Sequence, residues 1–253
     1  MVMKRVALIT GATSAIGVAA ARAFATSGHA VALAARRRAE LNALAAAIKG
    51  DGGAALVLET DVTDPGAVDE MVRQTVEHFG GLDAAFNNAG GGAPPTPLAD
   101  LTPEVFEATV RLNLTGTFLS MRAEIAVMLA RGGGSIVNMS STAGLQGVAG
   151  LGPYCAAKHA IIGLSKAAAL DYAATHIRIN VVAPGPIATE RLDDEQRKRI
   201  GQFVPVRRVG EPEEVGELVR WLCSPQSAFV TGAVVPIDGG RLAGTPSFAV
   251  SRP

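Results

Sequence analysis

The chain has 253 residues, 23 Lys+Arg against 23 Asp+Glu, 48% hydrophobic and 18% charged residues. A globular chain of this length buries roughly 70% of its extended surface, so its core needs no disulfide or metal staple, and the composition excludes disorder, collagen or coiled coil as the main state. Zero formal net charge, with Arg36-Arg37-Arg38 as the one tight basic cluster, argues against a nucleic-acid binder. Two cysteines, Cys155 and Cys223, make no disulfide framework and read as reduced thiols of a cytoplasmic protein. No run approaches 18 apolar residues, so no membrane partner is expected. The opening MVMKRVALIT is too short for a secretion signal and reads as a first strand.

In chain order, short apolar runs alternate with segments of helical spacing. Strands are predicted at Arg5–Thr10, Ala30–Ala35, Ala54–Glu59, Asp83–Asn87, Ser135–Met139, Ile177–Val182 and Ala233–Ile237. Helices are predicted at Ile16–Ser27, Arg38–Lys49, Pro65–Phe79, within Thr102–Leu129 as one long helix, at Pro153–Ala173 and at Glu211–Leu222. Thr102 can cap the long helix with Pro103 at its first turn, and Pro65 suits the same place. Strands apolar on both faces and separated by helices predict an α/β fold, a seven-stranded mostly parallel sheet covered on both sides. No linker divides the chain, so one domain over 1–253 is expected.

The turn Thr10-Gly11-Ala12-Thr13-Ser14-Ala15-Ile16-Gly17 joins the first strand to the first helix. Its small residues let the backbone approach a pyrophosphate, and the helix offers free N–H groups. It lacks the Lys-Ser/Thr of a nucleoside-triphosphate loop. The second strand ends in Ala34-Ala35-Arg36-Arg37-Arg38, without the carboxylate that would bind a ribose diol. Arginine there favours a 2′-phosphate, so NADP(H) is preferred and NAD(H) possible, with Arg36 the first candidate and Arg37 its helper. Asp61 can accept from an adenine amino group and Val62 can pack on the ring. Tyr154 and Lys158 share a helix face. An ammonium beside a phenol favours phenolate, so Lys158 is expected to lower the Tyr154 pKa and make it a proton donor or acceptor. Ser140-Ser141, just past a strand, can reach that helix.

These pieces come together as TGATSAIG at 10–17, DV at 61–62, NNAG at 87–90, LN at 112–113, SIVNMSS at 135–141, YCAAK at 154–158 and NVVAPGPIAT at 180–189. In this order and spacing the chain resembles the short-chain dehydrogenase/reductase family over about residues 4–242. The resemblance implies a Rossmann fold and hydride transfer between a nicotinamide and a carbonyl or alcohol carbon. It makes Tyr154 the general acid/base, Lys158 the ribose ligand, Ser141 the residue that polarises the substrate oxygen, and Asn113, within the long helix, the holder of a relay water. It places Gly11, Thr13, Ser14, Ile16 and Gly17 at the pyrophosphate turn, has Asn87, Ala89 and Gly90 line the cofactor cleft, and brings Pro184, Gly185, Ile187 and Thr189 to the nicotinamide. One departure is Ala15, where the family usually has glycine.

The implied substrate is a small carbonyl or alcohol; a 3-oxoacyl carrier-protein reductase is the competing enzyme reading, and a dinucleotide sensor without turnover the reading of another class. The substrate pocket is expected around Gly91–Pro97, Leu145, Gln146, Val148, Leu151 and Pro186. The charged, amphipathic stretch at about 190–205 reads as a lid, with Leu192 and Ile200 as its apolar members. Small and apolar faces on the helices at 104–129 and 153–173 suggest a homotetramer or homodimer. The segment Leu242–Val250 is expected to close a pocket or reach a neighbour. No metal site is predicted: His29, His78, His159 and His176 have no ligand spacing.

Overall fold

A computed structural model describes residues 4–189 and 192–244. The strands are β1 (Val6–Thr10), β2 (Ala30–Ala35), β3 (Ala54–Glu59), β4 (Ala84–Asn87), β5 (Gly134–Met139), β6 (Ile177–Pro184) and β7 (Val234–Ile237). They form one sheet in the order β3-β2-β1-β4-β5-β6-β7, and every pairing is parallel. β1, β2 and, apart from Arg178, β6 are buried throughout, as expected of strands covered on both faces.

The helices are α1 (Ala15–Thr26), α2 (Arg38–Gly50), α3 (Pro65–Phe79), α4 (Pro103–Val110), α5 (Gly116–Arg131), α6 (Gly152–Tyr172), α7 (Asp194–Gly201) and α8 (Pro212–Leu222). Their ends follow local chemistry. The Asp64 carboxylate caps α3 by accepting from the Gly66 and Ala67 N–H groups, Pro65 opens it, and Gly80 closes it in the left-handed region at φ 84°. One apolar core joins α1, α2 and α8 to the sheet through Phe24, Leu41 and Val219; a second joins α3, α5 and α6 through Met71, Met128 and Ala168. α1 and α8 lie so close that a Cβ on Gly216 would fall 2.9 Å from the Ala19 backbone.

The long helix expected over Thr102–Leu129 is interrupted. α4 and α5 are separated by a π-helical turn, Arg111–Thr115, that contains Asn113. Such an insertion widens the helix by one residue and re-aims its side chains, and it is frequent at functional sites. The sequence at 190–205 contains a helix, α7, started by a reciprocal cap between Asp193 and Gln196. Of the expected closing segment Leu242–Val250, residues 245–250 lie outside the described residues, as do Glu190 and Arg191 of the expected lid.

The chain runs from β1 outward to β2 and β3, then returns to place β4 on the other side of β1. That reversal opens a crevice at the carboxyl ends of β1 and β4, where open α/β sheets bind ligands.

Candidate active site

The crevice begins at the β1–α1 turn. Gly11 has φ 62°, and a Cβ there would lie 2.9 Å from the Ala89 Cα; one on Gly17 would fall 2.3 Å from the Gly11 carbonyl oxygen. Glycine is therefore required at both ends of the turn. Ser14 caps α1, its Oγ accepting from Gly17 N at 3.1 Å and donating to the Gly11 carbonyl at 3.0 Å. Ala15 is the first residue of α1 and does not have positive φ, so its methyl group causes no backbone strain.

Two adjoining cavities share Gly11, Ser14, Ala89 and Gly90. The outer one, about 270 Å³, is lined by Thr13, Arg36, Arg37, Asp61 and Val62; the inner one, about 310 Å³, by Ile16, Ser141, Tyr154, Lys158, Pro184, Gly185, Ile187 and Thr189. The site residues read from the sequence thus fall along one continuous crevice, with three exceptions. Gly17 acts from behind the turn. Asn113 and Asn87 are buried.

Contrary to what the resemblance implied, Asn87 does not line the crevice. Its side chain points into the core and donates to Glu124 Oε2 and Asn138 Oδ1. Successive side chains alternate across a strand, so the next residue takes the role. Asn88 Nδ2 donates to the carbonyls of Thr10 and Gly11 and to Ser14 Oγ, while Asn88 N and Ala89 N donate to Thr10 Oγ1. Asn88 ties the end of β4 to the turn after β1, and the parity of the β4 strand was the signal that could have found it.

At the outer end Arg36 and Arg37 behave differently. Arg37 donates to the Thr13 carbonyl and hydroxyl and pairs with Glu40 at 3.1 Å, so it braces the turn. It also lines the outer cavity beside Arg36. Arg36 is exposed, lines the cavity, and makes no ion pair or hydrogen bond among the described residues. Asp61 accepts from the Thr63 N–H and hydroxyl. The backbone bond foremost, with Arg36 a lesser contributor, holds its carboxyl below the usual range.

At the inner end Lys158 is 2% exposed, and its Nζ donates to the Met139 carbonyl at 2.8 Å and lies 5.5 Å from the Tyr154 ring centre. Burial pushes its pKa down to about 7. Tyr154 is raised above its ordinary value, mainly by burial, with the Ser141 hydroxyl pulling the other way. Both groups sit in a poorly solvated pocket that favours their neutral forms, burial being the first cause of each shift. The two serines divide their work by parity. Both line the cavity, but Ser140 Oγ donates to the Lys158 carbonyl and anchors α6, whereas the Ser141 hydroxyl is directed at Tyr154. Asn113, from the π turn, donates to the Gly91 and Thr109 carbonyls and accepts from Gly91 N. A Cβ on Gly90 would lie 2.6 Å from Asn113 Oδ1 and 3.3 Å from Lys158 Nζ, so only glycine admits both.

The turn borders both cavities and leads into a capped helix start, a setting whose N–H groups suit a pyrophosphate, while its glycines let it pack against the residues after β4. A family model described as enoyl-(acyl carrier protein) reductase matches residues 11–241. The "A-factor type gamma-butyrolactone 1'-reductase (1S-forming)" of Streptomyces virginiae is 42% identical over 93% of this chain and 95% of that protein. The cyclohexanol dehydrogenase of Acinetobacter sp. (strain SE19) is 38% identical over 93% and 94%. The chain belongs to the short-chain dehydrogenase/reductase family. Among solved family structures, NAD+-bound xylitol dehydrogenase superposes with a TM-score of 0.90 at 32% identity, over 95% of this chain and 100% of that one. A point variant of actinorhodin polyketide ketoreductase with NADPH superposes with a TM-score of 0.90 at 35% identity, over 94% and 97%.

This short-chain dehydrogenase/reductase is an oxidoreductase acting on CH–OH or C=O groups of small molecules with a nicotinamide dinucleotide. Among its described residues no helix is long and apolar enough to cross a membrane.

Proposed function

We propose that the chain interconverts a ketone and a secondary alcohol with NADP(H). The observation that carries this is the convergence of Ser141, Tyr154 and Lys158 on one cavity that continues to Arg36 through the glycine turn. The bound nicotinamide supplies or accepts the hydride at the reacting carbon. Tyr154 gives its hydroxyl proton to the carbonyl oxygen as that oxygen gains charge, and takes it back in the reverse direction. A phenol whose pKa is raised is protonated at neutral pH, which suits the donor role. Ser141 orients the same oxygen, Lys158 holds the cofactor ribose, and Asn113 fixes Gly91 and the floor beside Lys158. Pro184, Gly185, Ile187 and Thr189 form the wall against which the nicotinamide rests.

NADP preference rests on Arg36. It is free to form a charge-assisted fork with a 2′-phosphate, and no carboxylate ends β2. The comparison proteins carry either dinucleotide, so the choice lies in this chain's own residues. For the substrate we favour a compact apolar ketone or alicyclic alcohol. Gly92 leaves the space beside the Tyr154 ring open, Leu145 stands 40% exposed, and one relative is named for cyclohexanol. The α7 region, with Leu192 and Ile200 half-buried and Phe203 78% exposed, is assigned to covering that substrate. The apolar groove between α5 and α6, where Phe118 and Leu164 meet Gly163, is assigned to contact between subunits of a homodimer or homotetramer. Sedimentation of the purified protein tests that assignment; a monomer at micromolar concentration rejects it.

The decisive experiment is a panel of cyclic ketones, secondary alcohols and a 3-oxoacyl thioester, each with NADPH/NADP and NADH/NAD. Turnover of cyclic ketones with NADPH supports the reading. Turnover of the thioester alone replaces the substrate assignment, and dinucleotide binding without any turnover replaces it with a sensor.

A further inference from the structure

Beneath the crevice, four polar side chains occupy the core at a place where the reaction proposed above uses none of them. Asn87 at the end of β4, Glu124 on α5, Asn138 on β5 and Ser165 on α6 are each no more than 2% exposed. Asn87 Nδ2 donates to Glu124 Oε2 at 2.9 Å and to Asn138 Oδ1 at 3.0 Å. Asn138 Nδ2 donates to Ser165 Oγ at 2.8 Å, and Ser165 Oγ donates to the Ile161 carbonyl. The network ties two strands to α5, which follows the π turn of Asn113, and to α6, which carries the Tyr154–Lys158 pair. Two of its atoms, Asn87 Oδ1 and Glu124 Oε1, have no partner among the described residues.

Those two atoms belong to residues already bonded to each other through the remaining atom of each group. Both are acceptors if Glu124 is ionised, and two buried acceptors cannot satisfy one another. A single hydrogen on Glu124 Oε1 satisfies both and closes an acid–amide ring. We propose that Glu124 is a neutral carboxylic acid in the folded protein, donating to Asn87 Oδ1, and that this ring is a positioning device for the crevice. Asn87 directly precedes Asn88, which braces the nucleotide turn, and Asn138 directly precedes Met139, whose carbonyl receives Lys158 Nζ.

The surroundings agree. Burial pushes the Glu124 pKa up to about 7, with the Asn87 amide pulling the other way. Among the described residues no nearby cation is directed at it. On α5, Arg122 pairs with Asp69 of α3, and Arg131 pairs with Asp83 before β4. On α6, Lys158 is turned to Met139, while Lys166 and Asp171 are exposed. On β6, Arg178 donates to the Val230 and Ser224 carbonyls. Cys223, after α8, has its thiol pushed up to about 12, chiefly by burial, and stays neutral.

The test compares denaturant unfolding of the wild type and E124Q from pH 4 to 8. Glutamine places an amide hydrogen where the acid has its own, and it does not titrate. A carboxyl whose folded pKa is raised contributes stability that is complete below about 4.5 and lost as pH rises to about 7. Relative to E124Q, the wild-type folding constant is expected to fall by about two orders of magnitude across that window and then level off. A flat difference overturns the neutral acid. This measurement needs neither substrate nor cofactor, so it stands or falls separately from the proposed reaction. Positioning is read by NADPH fluorescence titration of folded E124A and, if that variant does not fold, of E124D. Either is expected to bind NADPH at least about threefold more weakly, with E124Q restoring the affinity. Unchanged affinity in the folded variant overturns the positioning role.

Discussion

The two ends of the crevice differ in how much water they admit, and that difference decides what each can do with charge. At the outer end Arg36 and Arg37 are exposed and Asp61 is only half-buried. There the two guanidinium groups differ in whether they are already engaged by neighbouring side chains. At the inner end Lys158 and Asn113 are buried, and burial shifts the protonation of both Lys158 and Tyr154 toward neutrality. A wet end leaves a cation free for a ligand; a dry end biases the state of a proton.

The largest expected effect breaks the dry end. Y154F removes the hydroxyl proposed as the proton donor and is expected to lower kcat by about 10²- to 10⁴-fold, with NADPH affinity, measured by fluorescence titration, nearly unchanged. Retention of wild-type turnover would reject the proton donor. K158M sharpens the same point through stability. A lysine whose folded pKa is depressed to about 7 contributes stability that is present above the unfolded value and lost as pH falls from about 10.5 to 7. Wild-type unfolding free energy should therefore decline relative to K158M over that window and run parallel to it below. A constant difference across pH 7 to 10 would mean that Lys158 is charged in the fold.

R36A tests the wet end. Loss of one charge-assisted contact to a phosphate is expected to weaken NADPH binding by about 10- to 100-fold and NADH little. R37A should weaken both cofactors equally and by less, since Arg37 acts through the Thr13 turn. If the two variants exchange these phenotypes in titrations with each dinucleotide, the assignment of free and bracing arginine is reversed.

Much of this layout was legible in the sequence because it depends on short-range chemistry. The apolar strands, the glycine turn, Pro65 after Asp64 and the four-residue spacing of Tyr154 and Lys158 are local features that tertiary context left in place. What escaped depends on parity, depth or helix register. Asn87 and Asn88 are chemically identical, and only the alternation of β4 tells which of them faces the crevice. The π turn at Arg111–Thr115 has no proline or glycine to announce it. The depressed Lys158 pKa reflects burial that spacing alone does not reveal. Glu124 left a trace: it recurs at helical spacing with Thr117, Ser120, Met121 and Met128 on the buried stripe of α5, where an acid has no ordinary reason to be.

The smallest expected effect concerns Ala15. It is the first residue of α1, it lacks positive φ, and the Ser14 cap beside it is intact. Restoring glycine there removes a methyl group without changing the path of the turn, while it gives the unfolded chain more freedom. A15G should therefore leave NADPH affinity within about twofold and cost roughly 0.5–1 kcal/mol in denaturant unfolding. A gain in affinity of about tenfold or more would show that the methyl group crowds the pyrophosphate, and that the cradle defined by Gly11 and Gly17 is narrower than its backbone geometry indicates.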